Sequence, residues 1–174
     1  MTPLFTLKYL IIACLGSLLL GSSAHGHGNH HDSTPKLNTN SNNKGPVIHL
    51  YREASCSCCT KWGQEMSSNG FRVVDHIENN MQALKELEGV PNSLRSCHTA
   101  FVGGYFIEGH VPVESINKLL SDMPNIDGLA VPGMPMGSPG MESANQKSDL
   151  YSVIAVYDQG EKAIYDTYLG SIRQ

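Results

Sequence analysis

Three of the chain's five cysteines, Cys56, Cys58 and Cys59, lie within four consecutive positions of the stretch SCSCCTKW. Thiols grouped in this way can close disulfides, exchange disulfides or bind a metal ion. Two structural disulfides fit poorly, because adjacent cysteines form a strained link and Cys97 is the one cysteine that follows the cluster. At least one bridge would then lie inside the cluster. The spacing therefore favours thiol exchange or metal binding.

The cluster stands between a predicted strand and a predicted helix. The apolar run VIHLY predicts a strand over residues 47–51, and Trp62 and Met66, four positions apart, mark one face of a helix that ends at Asn69-Gly70. Free N–H groups at a helix start stabilise negative charge, so the three thiols are placed to ionise. Thiolates are both nucleophiles and metal ligands.

The elements that must position the cluster follow the order strand, helix, strand, helix, hairpin, helix. This order predicts a thioredoxin-like α/β fold in which Cys56 and Cys59 form the C-x-x-C pair and Cys58 is an addition inside it. A C-terminal β-hairpin is predicted beyond this core. The later predicted elements are a strand at residues 71–77, a helix around Met81, Leu84 and Leu87, a hairpin at Gly103-Gly104, a helix from Pro112, and hairpin strands at residues 150–157 and 161–168.

Further candidate ligands follow in the segment before the third predicted strand. In the thioredoxin plan this segment turns back against the cysteine motif and usually carries a cis-proline, but here it carries Cys97 and His98. Beside three clustered thiols, these two side chains are better interpreted as ligands than as a buried cysteine and a core histidine. His110 fits either a ligand near the same end of the sheet or a solvent-facing loop residue. His49 and His76 lie within strands and are interpreted as structural or exposed.

Residues 130–142 contain too much proline and glycine for a helix or strand, which predicts a loop that carries Met134, Met136 and Met141. Thioethers can fill gaps in a core, or offer soft sulfur that selects Cu(I) above Zn(II). Four thiolates alone could bind zinc. Adjacent Cys58 and Cys59, however, do not easily join Cys56 on one tetrahedral ion, whereas thiolates that bridge several copper ions avoid this conflict.

The N-terminus predicts export. Residues 1–24 carry Lys8, an apolar run too short to span a membrane, and small residues at Ser22 and Ala24, which predicts a signal peptide. Its loss would remove Cys14 and leave 11 basic residues (12 minus Lys8) against 16 acidic ones. That balance, with no basic run, argues against nucleic acid or a membrane surface as partner. Cleavage before Cys14, as in a lipoprotein, is disfavoured by the short apolar stretch ahead of it.

Residues 25–45 predict a disordered His-rich arm, and residues 46–172 predict one compact domain. With His25 at the mature terminus, His27 in third place would allow a square-planar Cu(II) or Ni(II) site. His30 and His31 add imidazoles to this arm. The alternative is a solvated tail that binds nothing.

Three stretches resemble the CopG-like periplasmic copper proteins, once catalogued as a domain of unknown function. They are CSCCTKW, residues 89–112 and residues 128–142, and the resemblance spans about residues 46–170. It implies a thioredoxin-like fold, a copper cluster on the C-x-C-C motif and a role in copper resistance in a bacterial periplasm. Two departures from many relatives are Ser57 in place of glycine and Glu65 in place of histidine. The implied cluster ligands are Cys56, Cys58, Cys59 and Cys97, supported by His98, His110, Met134, Met136 and Met141.

The sequence therefore predicts a periplasmic copper-binding protein that holds Cu(I) in a polynuclear thiolate site, with cycling to Cu(II) as an extension. Whether it is an enzyme is left open, with a binding protein favoured. One alternative is a thiol-disulfide oxidoreductase in which Cys56 attacks and Cys59 resolves. Another is a metallochaperone that passes copper to efflux or other periplasmic copper proteins. A structural zinc protein would leave the methionines unexplained.

Overall fold

The computed structural model describes residues 45–174. The predicted signal peptide, residues 1–24, and all but the last residue of the predicted arm, residues 25–45, lie outside the described residues. Within residues 45–174, no helix is long and apolar enough to cross a membrane.

A single eight-stranded sheet organises the described part of the chain, with strand order β2-β1-β3-β4-β5-β6-β7-β8. Short 3₁₀ turns occur at Asn92–Leu94 and Asp158–Gly160. The strands are β1 Val47–Arg52, β2 Arg72–Ile77, β3 His98–Val102, β4 Tyr105–Glu108, β5 Gly128–Ala130, β6 Leu150–Val156, β7 Lys162–Leu169 and β8 Ile172–Arg173. The helices are α1 Ser57–Ser68, α2 Met81–Leu87 and α3 Val113–Asp122.

The α/β class is confirmed, and the element order behind the thioredoxin-like prediction is present from β1 to α3. Strands β1 and β2 pair in parallel, whereas β3 runs antiparallel to β1 and to β4. The turn between β3 and β4 is the predicted two-residue hairpin, because Gly103 and Gly104 have φ values of 60° and 90° that other residues rarely adopt. Strands β6 and β7 form the predicted C-terminal hairpin. Two short strands, β5 and β8, were not predicted.

Helix α1 is fixed on the sheet by its apolar face. Trp62 and Met66 are buried in the same core cluster as Leu50 of β1 and Val73 of β2. A Cβ at Gly63 would lie 3.0 Å from the Leu50 side chain, so a small residue lets the helix approach the sheet. The Trp62 Nε1–H group donates to the Val111 carbonyl at 3.0 Å. These contacts set the start of α1, and with it the cysteine motif, above the end of β1.

A polar group, buried except for Arg173, joins α3 to the C-terminal strands. The Ser115 hydroxyl donates to Asp166 Oδ2 at 2.7 Å and lies 2.9 Å from the Tyr168 hydroxyl. Arg173 of β8 forms an ion pair with the other oxygen of Asp166. We refer to Ser115, Asp166, Tyr168 and Arg173 as the serine–aspartate cluster. Its members satisfy one another's hydrogen-bonding groups, and these contacts anchor α3 on β7 and β8.

Candidate metal centre

The C-x-C-C motif forms the start of α1. Cys56 is the residue that precedes the helix, and its N–H group donates to the Glu53 carbonyl at 3.1 Å. Cys56 and Cys59 are joined by a disulfide, while Cys58 and Cys97 are free. The Cys58 sulfur lies 3.5 Å from that of Cys56. The one bridge within residues 45–174 is therefore the C-x-x-C pair, with the third thiol beside it.

The structure brings Cys97 to this motif, as the element order predicted. The Cys97 sulfur lies 4.0 Å from the Cys58 sulfur, and the four sulfurs all lie within 4.8 Å of one another. Cys97 stands immediately before β3, which neighbours β1 in the sheet. Adjacent strands thus deliver sulfurs from two distant parts of the sequence into one small volume.

Two imidazoles complete this group. His110 Nε2 lies 3.1 Å and His98 Nδ1 lies 3.4 Å from the Cys97 sulfur. His110 Nδ1 lies 2.7 Å from the Pro139 carbonyl oxygen. Because a carbonyl only accepts, that nitrogen carries the proton, and the Nε2 lone pair faces Cys97. We call Cys56, Cys58, Cys59 and Cys97 with His98 and His110 the cysteine cluster.

His98 is a fully buried member of the cysteine cluster. Its ring lies 4.6 Å from the Trp62 ring and 5.1 Å from the His110 ring, in a T-shaped arrangement with the latter. Its Nε2 atom finds no hydrogen-bond partner among the described residues. An unsatisfied nitrogen in such a position is costly, because a buried polar group loses its hydration.

Burial sets the protonation of the cluster. It raises the pKa of the Cys97 thiol to about 12, and the neighbouring Cys58 adds to the increase. Burial lowers the pKa of His98 well below its usual value, with further lowering by the charges of His110 and Lys85. The pKa of His110 is also lowered by burial, against the opposing effect of the Pro139 carbonyl. At neutral pH the cluster therefore presents neutral imidazoles and a protonated Cys97, whose proton a soft cation can replace.

A buried ion pair supports the segment that carries Cys97. Lys85 of α2 is 1% exposed, and its Nζ lies 2.6 Å from Glu108 Oε1 and 2.8 Å from the Thr99 hydroxyl. The same Glu108 oxygen accepts from the Ser96 N–H at 2.5 Å. Glu108 thus holds the residue before Cys97 and lies two residues before His110. Sequence reasoning missed this pair, because Lys85 and Glu108 read as ordinary surface residues of a helix and a strand end.

The Pro/Gly-rich loop between β5 and β6 covers the cysteine cluster with its backbone. Besides the Pro139 carbonyl on His110, Gly140 packs against α1 so closely that a Cβ there would lie 2.7 Å from the Cys58 carbonyl oxygen. The Ser96 hydroxyl donates to the Gly133 carbonyl of the same loop.

The three methionines of this loop differ in their exposure. Met134 is 54% exposed, while Met136 and Met141 are half-buried. The loop meets the cluster through its backbone at Pro139 and Gly140, and a ligand role for the three methionine sulfurs stays a prediction.

The fold and the site together define an α/β protein with a partly buried group of cysteine and histidine side chains suited to a soft metal ion. The family model DUF411, described as a protein of unknown function, matches residues 94–141. That stretch includes Cys97, His98, His110 and the methionine loop, but not the C-x-C-C motif.

Two solved structures named copper resistance protein CopG, Form 1 and Form 2, are each 43% identical to this chain. They superpose with TM-scores of 0.68 and 0.67, and the match covers 100% and 98% of those chains and 72% and 71% of this one. No curated protein matches the chain. The chain belongs to the CopG family of copper resistance proteins, which confirms the resemblance seen in the three sequence stretches.

Proposed function

We propose that this protein binds Cu(I) in a thiolate site as part of copper resistance. The observation that carries the proposal is the convergence of four sulfurs within 4.8 Å, with the free lone pair of His110 Nε2 3.1 Å from Cys97. Sulfur and imidazole suit Cu(I), and the described cluster lacks the carboxylates that a hard ion requires. Membership of a copper resistance family supports the same ion.

The arrangement of the sulfurs favours more than one copper ion in the reduced protein. With the disulfide closed, Cys58 and Cys97 are the free thiols, and two electrons and two protons convert Cys56 and Cys59 into two more. Each thiol then releases its proton to bind copper. Because Cys58 and Cys59 are adjacent on one helical turn, thiolates shared between ions satisfy the geometry better than four thiolates on one ion.

We also propose supporting roles for the other candidate residues. His98 and His110 would contribute imidazole ligands, and Met134, Met136 and Met141 would add thioethers or cover the bound ions. Cycling between Cu(I) and Cu(II) would use the imidazoles, which suit both states. Replacing Met134 and Met136 together by leucine tests the loop: unchanged Cu(I) affinity and unchanged folding would exclude them as ligands.

Anaerobic titration of the fully reduced protein with Cu(I), against a competing chelator, tests the proposal. We expect more than one tightly bound copper per chain, and a lower number in Cys97→Ser. Asp166→Asn, a change in the serine–aspartate cluster, is the matched control and should keep the copper number. Weak binding that is indifferent to Cys97 would overturn the proposal.

The disulfide favours a second candidate function, thiol-disulfide exchange. In the reduced protein, the Cys56 thiolate would attack a substrate disulfide, form a mixed disulfide and release one substrate thiolate. The Cys59 thiolate would then attack the Cys56 sulfur, release the second substrate thiolate and close the observed bridge. This function predicts reductase activity towards a disulfide peptide without metal, lost in Cys56→Ser and kept in Cys97→Ser.

A periplasmic location forms part of the proposal. Residues 1–24 would direct export and be removed, leaving the His-rich arm at the mature terminus. Transfer to efflux or other copper proteins would take place there. The intact mass of the protein purified from the periplasm checks the processing site, and a mass that retains residues 1–24 would contradict it.

A further inference from the structure

A second pair of metal-ligand side chains lies outside the cysteine cluster. His49 of β1 and His76 of β2 are 27 positions apart in sequence, yet His49 Nδ1 lies 3.1 Å from His76 Nε2. His49 is exposed and His76 is half-buried. The proposed function uses neither residue.

The parallel register of β1 and β2 brings the two rings together. His49 is opposite Val74 and Tyr51 is opposite His76, so both histidines project from the same face of the sheet. Their neighbours Ile48 and Leu50 project from the other face into the core. The pair therefore occupies the face of the sheet opposite to the one that α1 covers.

Neighbouring aromatic rings hold the pair in place. The Tyr51 ring stacks on the His76 ring at 4.5 Å, with 12° between the ring planes. The Phe101 ring in turn meets Tyr51 edge to face at 5.7 Å. The His49 ring lies 5.3 Å from His76 and within 22° of its plane. Tyr51 and Phe101 restrict the motion of the His76 side chain. Binding of an ion by both imidazoles would therefore cost little side-chain entropy.

The distance between the two nitrogens suits chelation. Two imidazole nitrogens bound to one ion at about 2.05 Å are about 2.9 Å apart in a cis square-planar site and about 3.4 Å apart in a tetrahedral one. The observed 3.1 Å lies between these values. In the metal-free pair, one ring donates its N–H group to the lone pair of the other ring. An ion would bind both nitrogens after the donor ring moves that proton to its other ring nitrogen. The exposed side of His49 leaves further coordination positions for water.

We propose that His49 and His76 form a second metal site, for a borderline divalent ion such as Cu(II), Ni(II) or Zn(II). Imidazole is a preferred ligand of these ions, and a site without sulfur does not select Cu(I). The proposal goes beyond the thiolate function, because it concerns other residues, another face of the sheet and another class of ion. It would hold whether the cysteine cluster binds copper or exchanges disulfides.

Amide NMR signals of the full exported chain during titration with Ni(II) test the site. Ni(II) binds imidazole and does not oxidise the free thiols, and the amide signals near Cys58 and Cys97 report separately on any Ni(II) that binds at the cysteine cluster. We expect residues 47–51 and 74–77 to respond together and to saturate. His49→Asn and His76→Asn should each raise the Ni(II) concentration for half-saturation at least tenfold.

His27→Asn, the same substitution at the arm position predicted to bind Ni(II), is the matched control and should leave the β1 and β2 response unchanged. Because His49 is exposed and His76 is half-buried, the variants should keep the other amide signals, and either variant alone suffices if the other unfolds. The inference is wrong if the strand signals do not respond. It is also wrong if both variants respond as the unmodified chain does, or if the His27→Asn change abolishes the response.

Discussion

Two largely enclosed groups of polar side chains on the same sheet differ in how the hydrogen-bonding capacity of their members is satisfied. In the serine–aspartate cluster, the Asp166 carboxylate accepts hydrogen bonds from the Ser115 hydroxyl and the Arg173 guanidinium. The Tyr168 hydroxyl is hydrogen-bonded to Ser115. In the cysteine cluster, the Cys97 sulfur lies against His98 Nδ1 and His110 Nε2, while His98 Nε2 finds no hydrogen-bond partner within residues 45–174. A polar group whose members satisfy one another stabilises the fold. Sulfur and imidazole nitrogen atoms that converge with only weak hydrogen bonds among them suit an ion that binds between them.

The surroundings of the two clusters extend this contrast. The serine–aspartate cluster joins α3 to the terminal strands with side chains alone. The cysteine cluster is held from outside, by the Lys85–Glu108 ion pair beneath Ser96 and by the loop backbone at Pro139 and Gly140. Stability and binding should therefore respond to different substitutions.

The largest effect is expected from Lys85→Met. This variant tests whether the buried ion pair serves folding alone, as the serine–aspartate cluster does, or also serves metal binding at the cysteine cluster. Removal of the ammonium leaves the Glu108 carboxylate buried and unpaired, which costs about 3–5 kcal/mol in the free energy of unfolding. Cu(I) affinity should fall as well, since Glu108 positions Ser96 and Cys97. Denaturant unfolding and chelator competition measure the two quantities.

The double variant Lys85→Met with Glu108→Leu is the control. It replaces both partners by apolar groups, so it should recover much of the lost stability without restoring Cu(I) affinity. If Lys85→Met weakens folding and leaves copper binding intact, the pair belongs with the serine–aspartate cluster, and the proposed link to Cys97 is wrong.

Asp166→Asn should lower the free energy of unfolding by about 2 kcal/mol, because a charged hydrogen-bonding group is replaced by a neutral one. The number of bound copper ions should not change, since Asp166 belongs to the serine–aspartate cluster alone. Denaturant unfolding and the copper titration check both parts. A lower copper number in this variant would contradict the separation of the two clusters.

Acidification should weaken the metal-free protein through the cysteine cluster. The pKa values of His98 and His110 are lowered in the folded chain, so below about pH 6.5 the unfolded chain binds more protons. The free energy of unfolding then falls as the pH falls. If both histidines stay neutral in the fold, the loss is about 1.5 kcal/mol between pH 7.5 and 6.

Denaturant unfolding at several pH values measures this loss, which Asp166→Asn should not reduce. Bound copper should suppress it, because a ligated imidazole no longer takes up a proton. A free energy of unfolding that stays constant between pH 7.5 and 6 in the metal-free protein would show that the histidines are not held neutral.

The smallest effect is expected from Gly140→Ala, which lifts the loop from α1. Gly140 has a φ of 82°, and the new Cβ would lie 2.7 Å from the Cys58 carbonyl oxygen and 2.8 Å from the Trp62 nitrogen. We expect a loss of about 1 kcal/mol and faster release of copper to a chelator. Gly133→Ala is the matched control, because its φ of 72° gives the same backbone strain but its Cβ would contact nothing. Equal release rates in the two variants would exclude loop closure over the cluster.

Much of the fold and the meeting of the four cysteines could be predicted from the sequence. The periodicity of apolar residues predicted α1 and most of the strands. The order of the elements predicted that the Cys97 segment lies beside the C-x-C-C motif. Strand β5 was missed because its three residues, Gly128–Ala130, are too few to show alternation. Lys85 and Glu108 were missed because charged residues are seldom fully buried, and nothing in the local sequence indicates that these two residues pair.

The contact between His49 and His76 was outside the reach of sequence reasoning for a different reason. Alternation identifies exposed positions on each strand, but the register of two parallel strands joined by a helix depends on tertiary packing. The same limit applies to His110, whose orientation is set by the backbone carbonyl of Pro139, 29 positions away.

Under the proposed function, the disulfide between Cys56 and Cys59 would make the amount of bound copper depend on the order of events. A chain that met an oxidant before copper would close the bridge and keep two free thiols, so it would need two electrons from a reductant before all four sulfurs could bind metal. A chain that met Cu(I) first would have its thiolates occupied. The same number of molecules could then store different amounts of metal, depending on whether oxidant or copper arrived first.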